Sequence, residues 1–247
     1  MNYTEFTYSG VKFRLYGNGG EQRVLVYGHG FGGHSDNNTA MHIIGDVVPG
    51  GVAVLTFDLP CHGEDPTTGA LNYDQCQQYW LAAMQYANKN YKANNISIFV
   101  NSFGAFLLLN YLKNKTIIYD KIILQCPAIF MYNITKYILL PVHNYKPEDI
   151  DKAPVNLGYE RELIIDKKFL DDLSKNAINC FTNKNFFYIL QGQQDDVVNN
   201  QNNKRFYDKF FENRYKIFYF LNADHRFKKP GELEEIIKIV HNLLFNS

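Results

Sequence analysis

Ile96-Ser97-Ile98-Phe99-Val100-Asn101-Ser102-Phe103-Gly104-Ala105-Phe106-Leu107-Leu108-Leu109 is the stretch on which the fold turns. It opens as a β-branched and aromatic run, the composition of a strand. After Gly104 it continues apolar without a breaker, as a buried helix does. Ser102 lies at the junction. A hydroxyl there is held out beyond the end of a sheet, beside a helix N-terminus whose free N–H groups favour nearby negative charge. That placement suits a nucleophile. It equally suits a helix N-cap, for which serine is among the preferred residues. The stretch alone leaves both readings open.

Outward from it, the chain repeats the same alternation. On the N-terminal side, Thr4 to Tyr16 reads as two short antiparallel strands turning at Ser9-Gly10, and Arg23 to Tyr27 as an apolar strand running into Gly28-His29-Gly30-Phe31-Gly32-Gly33. Asn38 to Val48 forms a helix, Val52 to Phe57 a strand buried on both faces, and Tyr73 to Asn90 a long helix capped by Asn72. On the C-terminal side, Lys121 to Gln125 is a strand closed by Cys126-Pro127. From about 130 to 185 the pattern loosens around Pro141, Pro147 and Pro154, with a helix at Lys167 to Ala177; a stretch this long reads as a lid or cap insert. Phe186 to Gln191 and Tyr215 to Phe220 are strands around a helix at Asn200 to Glu212, and Gly231 to Phe245 is an amphipathic final helix. The pattern predicts one α/β domain over residues 1–247. Its mostly parallel sheet has about eight strands, the first of them antiparallel, with helices on both faces. Ligands of such sheets sit beyond the carboxyl ends of the strands, where Gly28–Gly33, Ser102, Asp195 and His225 fall.

Composition narrows the function classes. Lys+Arg and Asp+Glu each total 25 of 247 residues, so the net charge is zero and no basic run marks a nucleic-acid or membrane partner. Cys61, Cys76, Cys126 and Cys180 are scattered without C-x-x-C spacing, which fits a reducing compartment better than a disulfide framework or zinc ribbon. The start, Met1-Asn2-Tyr3-Thr4-Glu5-Phe6, lacks the basic and apolar segments of a signal peptide, and the expectation is a cytoplasmic protein. No metal is expected, because no tight His or carboxylate cluster is spaced for one. No cofactor is expected either, because the glycines at Gly28–Gly33 lack a dinucleotide-binding context.

Five motifs then occur in order: Gly28-His29-Gly30-Phe31, Asp58-x-Pro60-x-His62-Gly63, Ser102-x-Gly104, Gly192-x-x-Asp195-x-x-Val198 and Ala223-Asp224-His225-Arg226-Phe227. With these the chain resembles the α/β-hydrolase superfamily. It is most similar to the branch of carboxylesterases, feruloyl (cinnamoyl) esterases and serine aminopeptidase-like proteins. The order Ser102, Asp195, His225 is the one used on that scaffold. The resemblance implies a serine esterase working through an acyl-enzyme on a small-molecule ester or related acyl substrate. Ser102 would be the nucleophile, His225 the general base and Asp195 the orienting acid, with Asp196 the competing carboxylate. The oxyanion donors would be the backbone N–H groups of Phe31 and Phe103, with His29 and His62 structural. The same triad serves peptidases, amidases and thioesterases, and a binding protein can keep the fold without turnover. Oligomeric state is not written in the sequence. The chain departs from the pattern at Val100, where a small residue is usual; a β-branched side chain there raises strain or demands a compensating gap nearby. Phe130, Tyr132 and Tyr137 of the insert are candidate pocket aromatics, with core packing the favoured reading for most of them.

Overall fold

The computed structural model describes residues 2–246. In chain order its elements begin with strands β1 (Tyr3–Tyr8), β2 (Val11–Tyr16) and β3 (Arg23–Gly28), helix α1 (Asn38–Val47), β4 (Val52–Thr56) and α2 (Tyr73–Asn90). Then come β5 (Ile96–Asn101), α3 (Phe103–Leu112) and β6 (Ile122–Gln125). The insert holds α4 (Met131–Ile134), a π-helical turn (Thr135–Leu139), α5 (Leu140–Val142), the short strands β7 (Val155–Asn156) and β8 (Ile164–Ile165), and α6 (Lys167–Lys175). The chain ends with β9 (Phe187–Gly192), α7 (Asn200–Phe210), β10 (Tyr215–Phe220) and α8 (Glu232–Phe245).

Eight strands form the central sheet in the order β1-β2-β4-β3-β5-β6-β9-β10. β1 pairs antiparallel with β2, and β2 antiparallel with β4; every other pair is parallel. The first hairpin turns at Ser9 and Gly10, both at positive φ (50° and 79°), the backbone that a tight two-residue turn requires. β4 is buried along its whole length, as strands covered on both faces are. α1 and α8 pack together over one face, where Ile43, Val47, Ile236 and Val240 are buried. α2, α3, α6 and α7 cover the other, around Trp80, Phe106, Phe169 and Phe206. Asn72 caps α2 by accepting from Gln75 N–H at 3.0 Å.

The insert is tied to the loop between β4 and α2. The Arg161 guanidinium donates to the carbonyls of Asp65 and Thr67, and Leu71 N–H donates to Ile164 O at 2.8 Å. Val100 finds its gap one strand over. It pairs with Gly28, whose missing side chain leaves room for both Val100 and the buried Trp80. A Cβ on Gly28 would lie 2.3 Å from Trp80 Cζ2 and 3.3 Å from Val100 Cγ1. Gly28→Ala is therefore expected to cost about 2 kcal/mol or more by overpacking. The measurement is a lower urea midpoint at unchanged slope; unaltered stability would show that the Trp80 ring has room to move.

Candidate active site

Every side chain of interest leaves the carboxyl end of a strand. Between β5 and α3 the backbone turns at Ser102 with φ +46° and ψ −111°, a region that non-glycine residues rarely adopt. The turn is over-determined by its neighbours. Ser102 N–H donates to Gln125 O at 2.9 Å, and Ser102 O accepts from Ala105 at 3.0 Å and Ala128 at 3.1 Å. Gly104 makes the approach possible, since a Cβ there would meet His29 O at 2.7 Å. Ser102 stands at the N-cap of α3, but its hydroxyl makes no capping bond. It meets His225 Nε2 instead, at 2.9 Å. The preceding Asn101 donates to Gln125 Oε1 at 3.1 Å.

His225 lies in the loop after β10, pressed against the end of β9. A Cβ on Gly192 would lie 2.5 Å from Ala223 O. His225 Nδ1 is 3.0 Å from each carboxylate oxygen of Asp195. The Asp195 side chain is fully buried and accepts from Val197 N–H (2.9 Å), Val198 N–H (2.8 Å) and Gln191 Nε2 (3.0 Å). Burial pushes its pKa up, but the hydrogen bond and charge of His225, with the Val198 N–H, outweigh burial and hold the carboxyl below its ordinary value. Asp196 is exposed and makes no contact with His225. Ser102, His225 and Asp195 thus form one hydrogen-bonded chain. The Gln191 contact to Asp195 has no signal in the sequence, because its side chain is aimed by the turn after β9.

The Gly28–Gly33 loop abuts this turn: a Cβ on Gly30 would sit 3.1 Å from that of Ser102. The Phe31 and Phe103 rings pack edge to face, 5.5 Å between centroids. Phe103 is the first residue of α3, so its N–H has no helical carbonyl to bond. Two buried histidines tie this loop to the one after β4. His29 Nδ1 donates to Gly30 O (2.8 Å) while Nε2 accepts from Leu59 N–H (2.9 Å). His62 Nδ1 donates to Pro60 O (2.8 Å) while Nε2 accepts from Gly32 N–H (3.0 Å). Asp58 adds to the tie by accepting from Ser35 N–H at 2.6 Å and Glu64 N–H at 2.8 Å.

Both imidazoles serve as acceptors only when neutral, and burial lowers the pKa of His29 to about 4 and of His62 to about 3. The unfolded chain takes up these protons near pH 6.5, before the folded one does, so stability falls on acidification from about pH 6.5 toward 4 and is unaffected above that window. His29 alone accounts for about 3 kcal/mol. Urea unfolding at pH 8, 6 and 5 should show the loss; a flat profile would mean the pair is not buried neutral.

A cleft of 290 Å³ opens above Ser102, lined also by Thr39, Gln125, Tyr159, His225 and Arg226. Of the insert aromatics anticipated there, Phe130 and Tyr132 instead line a separate cavity beside α3, and Tyr137 is largely exposed. Tyr159 is the insert's contribution. Its ring covers Gly32, where a Cβ would lie 2.3 Å from Tyr159 Cδ1, and it meets Phe31 at 5.9 Å. Cys126, Asp195 and His225 are near enough to share a cation, but the Cys126 thiol is buried with its pKa raised by desolvation, which disfavours the thiolate a metal needs.

The sheet order and the serine turn define the α/β-hydrolase fold. Est1E from Butyrivibrio proteoclasticus, solved with ferulic acid bound, shares it with a TM-score of 0.76 at 18% identity over 98% of each chain. So does alpha/beta hydrolase domain-containing protein 10 from mouse, with a TM-score of 0.73 at 17% identity over 100% of this chain and 99% of that one. A soluble variant of monoglyceride lipase from Saccharomyces cerevisiae, in complex with a substrate analogue, gives 0.71 at 14% identity over 98% and 94%. At such identities the likeness is one of fold. No protein-family model and no curated protein sequence matches the chain.

Proposed function

We propose that this protein is a serine hydrolase that cleaves carboxylic esters through an acyl-enzyme. The observation that carries the reading is the hydrogen-bonded chain from Ser102 Oγ through His225 to the buried carboxylate of Asp195. Ser102 Oγ attacks the ester carbonyl while His225 Nε2 takes its proton, and Asp195 holds the imidazole in the required tautomer and stabilises its charged form. The tetrahedral oxyanion is met by the N–H groups of Phe31 and Phe103. His225 then protonates the departing alkoxide, and water, activated by the same imidazole, releases the acid. The 130–185 insert acts as a cap on a single α/β-hydrolase domain, with Tyr159 as its wall in the cleft. Among proteins of this fold, one holds ferulic acid and one is a monoglyceride lipase, which supports a small acyl substrate. Among the described residues no helix is long and apolar enough to cross a membrane. All four cysteines are free, three of them buried, which supports a cytoplasmic setting.

A fluorophosphonate probe tests the reading. The wild-type protein is expected to label at neutral pH and Ser102→Ala not at all. A wild-type protein that stays unlabelled would sink the hydrolase proposal. A panel of p-nitrophenyl esters, thioesters and aminoacyl amides then orders the leaving groups.

A further inference from the structure

The cleft above Ser102 contains no carboxylate among its lining residues, and its ionisable cation is Arg226, directly after His225 and exposed at the rim. The protein has equal numbers of acids and bases, and Arg14, Arg23 and Arg214 pair with Glu64, Asp120 and Glu212. Arg226 has no such partner: among the described residues no carboxylate reaches ion-pair distance of its guanidinium. The adjacent Asp224 spends Oδ1 on the Arg226 backbone N–H at 2.8 Å. Beyond Tyr159 the neighbouring cleft does hold carboxylates, Asp36, Glu64 and Glu160, together with Arg161. The field of Arg226 reaches across to the insert. It adds to burial in lowering the pKa of His143, and it opposes the burial-driven rise at Tyr159, whose ring lies 5.1 Å from that of His143.

A guanidinium without a counter-ion, facing an acid-free cleft beside the reacting hydroxyl, is placed to receive an anion from the substrate. We propose that the substrate carries a carboxylate on its acyl or its alcohol part, and that Arg226 pairs with it while the ester carbonyl lies at Ser102. Arg226 is then a specificity-determining residue of the hydrolase site, so the inference rests on the ester-hydrolase reading.

Two matched ester pairs distinguish where the charge sits. The p-nitrophenyl monoester of adipic acid against p-nitrophenyl hexanoate tests an acyl carboxylate. 4-Acetoxybenzoate against 4-acetoxybenzamide tests one on the leaving group. The readout is the ratio of kcat/KM, anionic over neutral, corrected for spontaneous hydrolysis. In one pair the wild-type ratio should exceed unity and fall about tenfold in Arg226→Gln, with partial retention in Arg226→Lys. A wild-type ratio at or below unity in both pairs, or one that survives Arg226→Gln, overturns the inference and leaves the hydrolase reading intact. If no ester is turned over, the hydrolase reading fails. Calorimetry of monoethyl adipate and 4-acetoxybenzoate with Ser102→Ala and Ser102→Ala/Arg226→Gln then decides this one. Binding that needs Arg226 sustains it, and binding indifferent to Arg226, or none, overturns it.

Discussion

His225→Ala is expected to lower kcat on a carboxylic ester by on the order of 10⁵-fold, with KM changed little. Without the imidazole, Ser102 must lose its proton to water while attacking, and the leaving alkoxide must depart unprotonated. KM should hold because His225 meets Ser102 Oγ, at 2.9 Å, and the proposed receivers of the substrate carbonyl are backbone N–H groups that the change leaves in place. Folding should survive the change. His225 is partly exposed, and the Asp195 carboxylate it leaves behind keeps Val197, Val198 and Gln191 as donors. Steady-state kinetics with urea unfolding on the same preparation separate the two effects. The double variant Ser102→Ala/His225→Ala should be no worse than either single one, because a nucleophile and its base act as a unit. Losses that multiply would mean another residue serves as base.

Asp195→Asn is expected to cost about 10⁴-fold in kcat, and Asp196→Asn less than about twofold. The carboxylate is acceptor-only, and both oxygens are engaged: Oδ1 by Val197 and Val198, Oδ2 by Gln191, and both by His225 Nδ1. An asparagine must turn its NH₂ toward one of these donors. Whichever way it turns, it loses an acceptor and the negative charge that stabilises the imidazolium. Because the Asp195 pKa is held below its usual value, this carboxylate stabilises the folded state above about pH 4, and that contribution is lost only as pH falls further. The same kinetics on both asparagine variants decide between the neighbours; a larger loss at position 196 would reassign the acid.

Much of the fold was legible because strand and helix periodicity is a local property. β10 occupies Tyr215–Phe220 and α2 Tyr73–Asn90, the spans the pattern predicted, and other boundaries move by a residue or a few where helix ends fray. The insert was readable only as an irregularity. Its short strands β7 and β8 pair with each other, and the Arg161 tie to the β4–α2 loop depends on partners nearly a hundred residues away. The pocket aromatics were misplaced for a related reason. Phe130, Tyr132 and Tyr137 lie on or beside the α4 helical segment, which faces a different cavity, whereas Tyr159 folds back over Gly32.

By itself, the sequence determined the order of strands and helices and the position of Ser102 at a strand-to-helix turn. It also set the succession Ser102, Asp195, His225 along the chain, since each of these follows from residues adjacent to it. Tertiary structure decided that the Ser102 hydroxyl faces His225 in place of capping α3, and that Asp195 turns inward while Asp196 stays in solvent. It also decided that Val100 is accommodated by Gly28 and Trp80, and that Arg226 looks into a cleft without a counter-ion. These depend on which strand ends adjoin and on how closely their backbones approach, distances that register and packing create and that no local spacing encodes.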